Sequence, residues 1–231
     1  MKQWKIYFCL GLSLAGYLLF GYFLRRADFF LLAPAYLIVF ASYFFLVSRS
    51  GNSGFSLLFA AAILFRLSFL FSVPSLSDDY FRFIWDGRML NLYHNPYTVM
   101  PSTFIQHSNQ VNELLEELYA GMNSPNYYTV YPPVCQYIFA FAAWWFPNNL
   151  IGSIVVLRAA SIIAELGTLI LMKKLLIHFQ LPKTNLFWYA LNPLVILELS
   201  GNIHFESVMI FFLLSAVWLL FASRPDRKSV V

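Results

Sequence analysis

Charged residues and cysteine are scarce in this 231-residue chain, and their scarcity narrows what the protein can be. Only 11% of the residues are charged and 60% are hydrophobic, whereas soluble domains carry roughly 25% charged residues. One water-facing domain of this size could not bury so much apolar surface, which includes 25 phenylalanines. The two cysteines, Cys9 and Cys135, imply neither a disulfide framework nor a cysteine-based metal site. The composition predicts an integral membrane protein.

Nucleic-acid binding is disfavoured, although the formal net charge is +4. The basic residues form short clusters beside apolar runs, as at Lys2 and Lys5, at Arg25 and Arg26, and over residues 224–228. Such flanks usually set the orientation of a protein in the membrane. Lys2 and Lys5 favour a cytoplasmic N-terminus.

Seven apolar runs predict an all-α fold, a multi-pass transmembrane helical bundle of about seven membrane segments. Runs of about 18 or more apolar residues are typical of transmembrane helices. We treat 1–231 as one transmembrane domain and 74–129 as its first large extracytoplasmic loop, which holds six of the eleven acidic residues. The runs are 6–24, 29–47, 55–73, 131–146, 151–177, 186–199 and 208–222.

The crossing count conflicts with the positive charges near residue 180. If every run crosses, residues 178–185 lie outside with the polar loop, whereas Lys173, Lys174 and Lys183 favour the cytoplasmic side. One run is therefore re-entrant, or the count is wrong by one. The run 186–199 is the weakest of the seven, because it is short and contains Asn192 followed by a proline.

The polar loop should carry surface-lying helices. Ser77 is suited to cap a helix whose first turn holds Asp78 and Asp79, since hydroxyl caps and early carboxylates both suit the positive end of a helix. Further along, apolar residues spaced i, i+3, i+4, i+7 predict an amphipathic helix on the bilayer or on the bundle. They are Val111, Leu114, Leu115 and Leu118.

Two polar clusters are candidates for chemistry. On a helix beginning at Ser77, residues Asp79, Arg82 and Asp86 share one face, so two carboxylates can hold the arginine and leave another able to accept a proton. A solvated helix with internal ion pairs is the alternative. Near the other end of the chain, Glu198, His204 and Glu206 cluster where an apolar run ends, with Gly201 and Asn202 permitting a tight turn. Such a cluster can bind a sugar or shuttle a proton, or it can be a polar interfacial loop and nothing more.

Arg66, Arg158 and Glu165 are charged residues in the interior of apolar runs. A charge at the bilayer centre costs about 2.5–3.5 kcal/mol on insertion scales, so these side chains should be paired or line a polar cavity. Arg158 could bind a lipid phosphate, which its planar guanidinium suits. Alternatively it pairs with Glu165, seven residues on, and only locks helices together. The role of Arg66 stays open.

Taken in order, "SDDYFRFIWDGRMLNLYHNPY", "YPP" and "LNPLVILELSGNIHFES" resemble the GT-C superfamily of membrane glycosyltransferases, and bacterial mannosyltransferase-like members in particular. The resemblance covers roughly residues 60–215 and implies that the chain is an N-terminal GT-C-like module. It implies a catalytic base at Asp78 or Asp79, between which the sequence does not choose. It also implies that the polar loop and the region around His204 line one cavity. The substrate-binding residues that it implies, together with the arginine assigned above, are Arg82, Asp86, Arg88, Arg158, Asn202, His204 and Glu206.

The function predicted from this resemblance is transfer of a hexose, with mannose favoured, from a polyprenyl-phosphate donor to a lipid or glycan acceptor. The expected location is the bacterial plasma (inner) membrane, with membrane lipids as partners and no nucleic acid. No cofactor and no metal ligand are assigned, and a divalent metal ion is left open. Two other functions remain: a transporter or flippase of lipid-linked saccharides, and an inactive truncated membrane subunit, because family members are commonly longer. A transporter would place its ionisable residues near the midplane on broken helices, whereas this chain concentrates its carboxylates in one polar segment.

Overall fold

The computed structural model describes residues 3–51 and 54–222, and all regular structure within these ranges is helical. The all-helical prediction is therefore confirmed, while Lys2 and the basic cluster 224–228 lie outside the described residues. The helices are α1 (Trp4–Tyr22), α2 (Phe29–Ser48), α3 (Phe55–Leu67), α4 (Asp79–Asn91), α5 (Pro101–His107), α6 (Glu113–Gly121), α7 (Pro133–Trp145), α8 (Leu150–His178), a 3₁₀ turn (Lys183–Leu186), α9 (Phe187–Ala190), α10 (Pro193–Val195), a π-helical turn (Ile196–Gly201) and α11 (Glu206–Ala222).

Three of these helices, α1, α2 and α8, are long and apolar enough to cross a membrane. A fourth span is reached if the segment Pro193–Gly201 and α11, which meet at a bend of 112°, count as one broken span. The prediction of about seven segments is not confirmed. Helices α3 and α7 have 13 residues each, or about 20 Å at 1.5 Å per residue, short of the roughly 30 Å hydrocarbon core.

The run 186–199 fails as a span for a local reason. Asn192 adopts extended backbone and its side chain accepts a hydrogen bond from the amide of Leu194, so the chain restarts a helix at Pro193. Three residues later it widens into the π-helical turn. Breaks of this kind need neighbouring protein to satisfy the backbone, and the buried residues of this segment pack against α1, α2 and α3.

Two apolar cores hold the helices together. The first joins α1, α2 and α3 to the segment 186–197 and to part of α8. The second joins α4, α6, α7, α8 and α11 around three stacked or edge-on rings, those of Phe83, Phe139 and Phe205, whose centroids lie 4.7–5.2 Å apart. The polar segments described below lie where the two cores meet.

The bundle has two chemically different ends. At one, which we call the basic end, the ammonium groups of Lys173 and Lys183 lie 5.3 and 5.4 Å from the ring of Phe55. The start of α3 and the end of α8 therefore lie together. The imidazole of His178 packs against Trp218 and Phe221, so α11 also ends there.

At the opposite, acidic end, α11 begins beside Ser161, eleven residues after the start of α8, and the hydroxyls of Ser161 and Ser207 lie 2.8 Å apart. Helices α8 and α11 therefore run in the same direction. Arg158 binds carbonyls of the chain after α3 at this level. The 20 residues from Arg158 to His178 span about 30 Å, the thickness of a hydrocarbon core. Residues 178–185 therefore lie at the basic end, away from the polar loop, and not beside it as seven crossings would require.

The predicted helices of the polar loop are present, with one shift. Ser77 Oγ accepts a hydrogen bond from the amide of Asp79 at 3.3 Å, but α4 begins at Asp79 with Asp78 at its N-cap, so Asp78 does not lie in the first turn. The amphipathic helix appears as α6. Its N-cap, Asn112, accepts a hydrogen bond from an amide in the first turn at 3.0 Å, and its buried leucines join the core beneath α4.

Candidate active site

A polar cavity of about 390 Å³ opens at the acidic end, where the two apolar cores meet. Four separate stretches of chain form it: the connection between α1 and α2 with the start of α2, the segment leading into α4, the chain after α6, and the π-helical turn with the loop that follows. Three carboxylates, one histidine and one arginine line it together with uncharged side chains. The lining residues are Arg26, Leu32, Tyr36, Leu76, Ser77, Asp78, Asp79, Asn123, Glu198, Asn202 and His204.

His204 lies between two carboxylates in this cavity. Its Nε2 is 3.5 Å from Asp79 Oδ2, and its Nδ1 is 3.4 Å from Glu198 Oε2. Ser77 Oγ lies 3.3 Å from the same Nε2, and Asn123 donates to Asp79 Oδ1 at 3.1 Å. The side chains of Asp79 and His204 are each about one third exposed, 31% and 27%, so both can meet a bound molecule. This arrangement suits proton transfer.

The same contacts shift the pKa values of both Asp79 and His204. The hydrogen bond with His204 is the largest influence that holds the pKa of the Asp79 carboxyl below its usual range. That hydrogen bond, followed by the charges of nearby carboxylates, raises the pKa of the His204 imidazole against the opposing effect of burial. Asp79 is therefore ionised at neutral pH, and His204 carries a proton over a wider pH range than a solvated histidine.

The backbone of the loop after the π-helical turn orients His204. Asn202 donates from its side chain to Glu198 Oε2 at 3.0 Å, and its amide donates to the carbonyl of Leu197 at 2.8 Å. The next residue, Ile203, is fully buried with φ of 60°. A β-branched residue rarely occupies this left-handed region, and such positions concentrate at functional sites. The reversal directs the His204 side chain toward α4.

Asp78 and Asp79 have different partners although they are adjacent. The carboxylate of Asp78 accepts from Arg26 at 3.2 Å, and both side chains are largely exposed at the cavity rim. Neither Asp78 nor Asp79 binds Arg82, so Asp86 is the one carboxylate of this stretch that holds it. Arg26 itself was missed, since its cluster with Arg25 was assigned only to membrane orientation. A signal was available: if Lys2 and Lys5 are cytoplasmic, this arginine pair follows the first crossing and breaks the positive-inside pattern.

Arg82 and Asp86 form a buried ion pair behind the cavity. Arg82 Nε donates to Asp86 Oδ1 at 2.8 Å, and Gln136 on α7 donates to the other carboxylate oxygen at 3.0 Å. Arg82 also donates to main-chain carbonyls in the segment 124–127. Neither residue lines the cavity, so the structure places them as a brace between α4, α7 and the chain after α6.

Arg88 lies further along α4, outside the cavity lining. Burial lowers its pKa, and within the described part of the chain its Nε and Nη2 have no hydrogen-bond partner. Glu206 lines a second, mostly apolar groove of about 330 Å³ between the starts of α7 and α11, with Tyr131 as the other polar side chain. The structure therefore brings Asp78, Asp79, Asn202 and His204 into one cavity. It leaves Arg82, Asp86, Arg88 and Glu206 outside the lining of that cavity.

Arg158 does not face the cavity. It is fully buried, and four of its five N–H groups point at main-chain carbonyls: Nε at Ser200 and Nη2 at Gly201, both at 2.9 Å, and Nη1 at Leu70 and Ser72. This placement differs from the expectation that Arg158 has charge available for a lipid phosphate.

The alternative partner of Arg158, Glu165, is taken by Arg66 instead. The two are fully buried, with Arg66 Nη2 2.9 Å from Glu165 Oε2. This ion pair gives Arg66, whose role the sequence left open, a structural function.

Within residues 3–51 and 54–222, no three histidine, cysteine, aspartate or glutamate side chains are placed to hold a metal ion together. The cavity itself offers acids, bases and hydrogen-bond donors. A carboxylate coupled to an imidazole can take a proton from a hydroxyl, and an exposed arginine at the rim can hold a phosphate.

Comparison with known proteins gives one match. A family model described as "Alpha-(1->6)-mannopyranosyltransferase, N-terminal domain" matches residues 16–231. No curated protein and no solved structure matches the chain.

Proposed function

The chain belongs to this alpha-(1->6)-mannopyranosyltransferase family, matching its N-terminal domain, and we propose that it uses Asp79 to transfer mannose from a polyprenyl-phosphate donor to a lipid or glycan acceptor. Membership supports a membrane glycosyltransferase that handles mannose, and it does not favour the transporter or the inactive subunit. The identity of the donor, the GT-C architecture and the catalytic base are parts of the proposal. The observation that carries the proposal is the partly exposed Asp79 in contact with His204 inside the cavity.

The reaction needs one proton acceptor and one cationic contact. The acceptor hydroxyl oxygen forms a bond to C1 of mannose while the bond from C1 to the phosphate oxygen breaks, and its electron pair leaves with the polyprenyl phosphate. The hydroxyl proton passes to Asp79, whose carboxylate is held ionised by His204. Because the leaving phosphate gains negative charge, a cation beside it stabilises the transition state.

We assign that cationic contact to Arg26. It is the arginine of the cavity lining and its side chain is 72% exposed. Within residues 3–51 and 54–222, that side chain is held only by its contact with Asp78 at the rim. A guanidinium can exchange one carboxylate for a phosphate with the same two-pronged geometry. Arg82 and Arg158 are less suitable, because both are buried and already donate to protein groups.

The apolar groove between α7 and α11 is the proposed place for the polyprenyl chain. Its lining is aliphatic and aromatic apart from Tyr131 and Glu206. Burial raises the pKa of the Tyr131 hydroxyl, and the charges of Asp79 in the cavity and Glu206 in the groove both act on it and raise that pKa further. The groove and the cavity are therefore neighbours. We further propose that the acidic end is extracytoplasmic, since Lys173, Lys174 and Lys183 mark the other end as cytoplasmic.

Asp79→Asn tests the assignment of the base, with Asp78→Asn as the matched control. Both variants carry the same substitution, at adjacent positions of one cavity. In membrane vesicles supplied with radiolabelled polyprenyl-phosphate mannose and an alkyl α-mannoside, Asp79→Asn should lower turnover by about 10²–10⁴-fold, the usual contribution of a positioned base. Asp78→Asn should retain most of the turnover. If Asp78→Asn alone abolishes transfer, Asp78 is the base. If both variants stay active, the base lies elsewhere.

A further inference from the structure

Arg158 connects the two stretches of chain that carry the central contact of the cavity. Its guanidinium donates to Leu70 and Ser72 on one side and to Ser200 and Gly201 on the other. The first pair lies shortly before Asp79 in the chain. The second pair lies immediately before the loop that carries His204. One buried side chain thus holds both backbones.

The four carbonyls need such a donor because of where they lie. Leu70 and Ser72 follow the end of α3, and Ser200 and Gly201 close the π-helical turn. The last carbonyls of a helix have no partner within it, and the C-terminal end of a helix carries partial negative charge that favours a cation. The carbonyls of Ser200 and Gly201 are of this kind, whereas those of Leu70 and Ser72 lie in the turns beyond the end of α3. The fully buried Arg158 donates to both pairs.

We propose that Arg158 is a positioning residue for the transfer reaction: it fixes the separation between the segment leading to Asp79 and the loop carrying His204. This inference rests on the function proposed above. Arg158 touches neither substrate nor the reacting atoms, so it acts through the Asp79–His204 contact. The planar fork of arginine reaches carbonyls on both sides, whereas the ammonium of a lysine is a single point and cannot bind all four.

The consequence is a specific kinetic signature. A displacement of about 1 Å between catalytic groups can cost roughly 10²-fold in rate. Arg158→Lys should therefore lower kcat by up to about that factor and leave the KM for the donor close to that of the parent. With His204 further away, the Asp79 carboxyl loses its main stabilising partner, and its pKa rises toward the ordinary value. The acidic limb of the pH–rate profile should therefore move to higher pH.

Arg66→Lys is the matched control. Arg66 is equally buried and also donates to main-chain carbonyls, those of Ala62 and Ala190, but it binds nothing in the cavity. This variant should lower the midpoint of thermal unfolding while leaving the pH–rate profile of the folded protein unchanged. A shift of the acidic limb in both variants would mean that general loosening of the bundle causes it, and the positioning role would be refuted.

A readout without turnover separates this inference from the proposed function. His204 faces Asp79, Glu198 and Glu206, so its titration reports the geometry of the cavity. In protein labelled with ¹³C-histidine, whose four signals are assigned with His204→Gln, the parent should show a raised His204 pKa, and Arg158→Lys should return it toward the ordinary value. An unchanged titration in a folded Arg158→Lys variant overturns the inference. If the parent protein shows no transferase activity but Arg158→Lys still changes the His204 titration, the proposed function alone is refuted.

If Arg158→Lys does not fold, Arg158→Gln provides the second variant. Glutamine retains two N–H groups that can reach one side of the clamp. It should give the same displacement of the His204 titration in whatever fraction is recovered folded. A parent-like titration in that fraction counts against the proposal as directly as it does for the lysine variant.

Discussion

The buried ion pair between Arg66 and Glu165 allows the sharpest test of how this bundle is held together. Arg66 donates to Glu165 Oε2 through Nη2 at 2.9 Å and through Nε at 3.3 Å, and both side chains are 0% exposed. Glu165→Gln preserves the shape of the side chain and removes its charge. The cation of Arg66 then remains buried with neutral partners only, and we expect a large loss of stability.

The magnitude follows from the contacts that survive. Breaking a buried ion pair by removing one charge costs about 3–5 kcal/mol. Arg66 keeps its hydrogen bonds to the carbonyls of Ala62 and Ala190 at 2.9 and 2.8 Å, and glutamine still offers one acceptor oxygen. The lower end, about 3 kcal/mol, is therefore expected. For a chain of this size about 2–4 °C accompany each kcal/mol, so the unfolding midpoint should fall by roughly 6–12 °C.

Heating of detergent-solubilised protein, followed by size-exclusion chromatography with tryptophan fluorescence, measures this shift. The double variant Arg66→Met with Glu165→Gln removes both charges and is the control. Replacing a buried ion pair by uncharged groups is often nearly neutral, so the double variant should unfold closer to the parent than Glu165→Gln does. Should the double variant lose the sum of the two single losses, the residues do not interact, and the reasoning fails.

Three further outcomes are expected. Gly87→Ala should destabilise the protein, because the added Cβ would overlap the backbone of α7. Gly11→Ala is the control: its Cβ meets nothing within 4 Å, so it should stabilise the protein by about 0.5–1 kcal/mol. Equal shifts of the melting midpoint in the two variants would refute the close approach of Gly87 to α7. Arg26→Ala should raise the KM for a polyprenyl-phosphate mannose donor about tenfold or more, the value of one charge-assisted contact, and leave the KM for the acceptor unchanged; a change in the acceptor KM alone would contradict the assignment. The raised pKa of His204 means that its stabilising contribution is complete below about pH 6.5 and is lost as pH rises through the folded-state pKa. The lowered pKa of Asp79 adds a contribution that is lost only as pH falls through its own folded value. Melting midpoints of the parent should therefore fall as pH rises above about 6.5, and His204→Gln should lack that fall.

The long apolar runs could be predicted to be helices because a single segment has one way to cross a membrane. A run that satisfies its backbone internally and is long enough to cross must be helical, and α1, α2 and α8 begin and end within a few residues of the runs 6–24, 29–47 and 151–177. The shorter runs were not predictable by composition. A short helix such as α7 and a membrane segment are equally apolar, and only their length and packing separate them.

The individual site residues were easier to identify than their partners. Asp79 and His204 attract attention as polar groups beside apolar runs, but 125 positions separate them, and no local periodicity reports that contact. Spacing along one helix suggested Glu165 as the mate of Arg158. The structure instead gives Arg158 four carbonyls from distant segments, and a backbone acceptor leaves no trace in residue identity.

The π-helical turn at Ile196–Gly201 makes the cavity sensitive to the number of codons in this part of the gene. In a π-helix each amide bonds five residues back instead of four, so the turn contains one residue more than the α-helix it replaces. One residue corresponds to about 100° of helical rotation. The orientation of His204 therefore depends on the length of this stretch to within one codon. A reading frame shorter by one codon would turn the imidazole away from its carboxylates while every other side chain stayed the same. Across related genes, the spacing between Pro193 and His204 should report more about the state of the cavity than residue identities do.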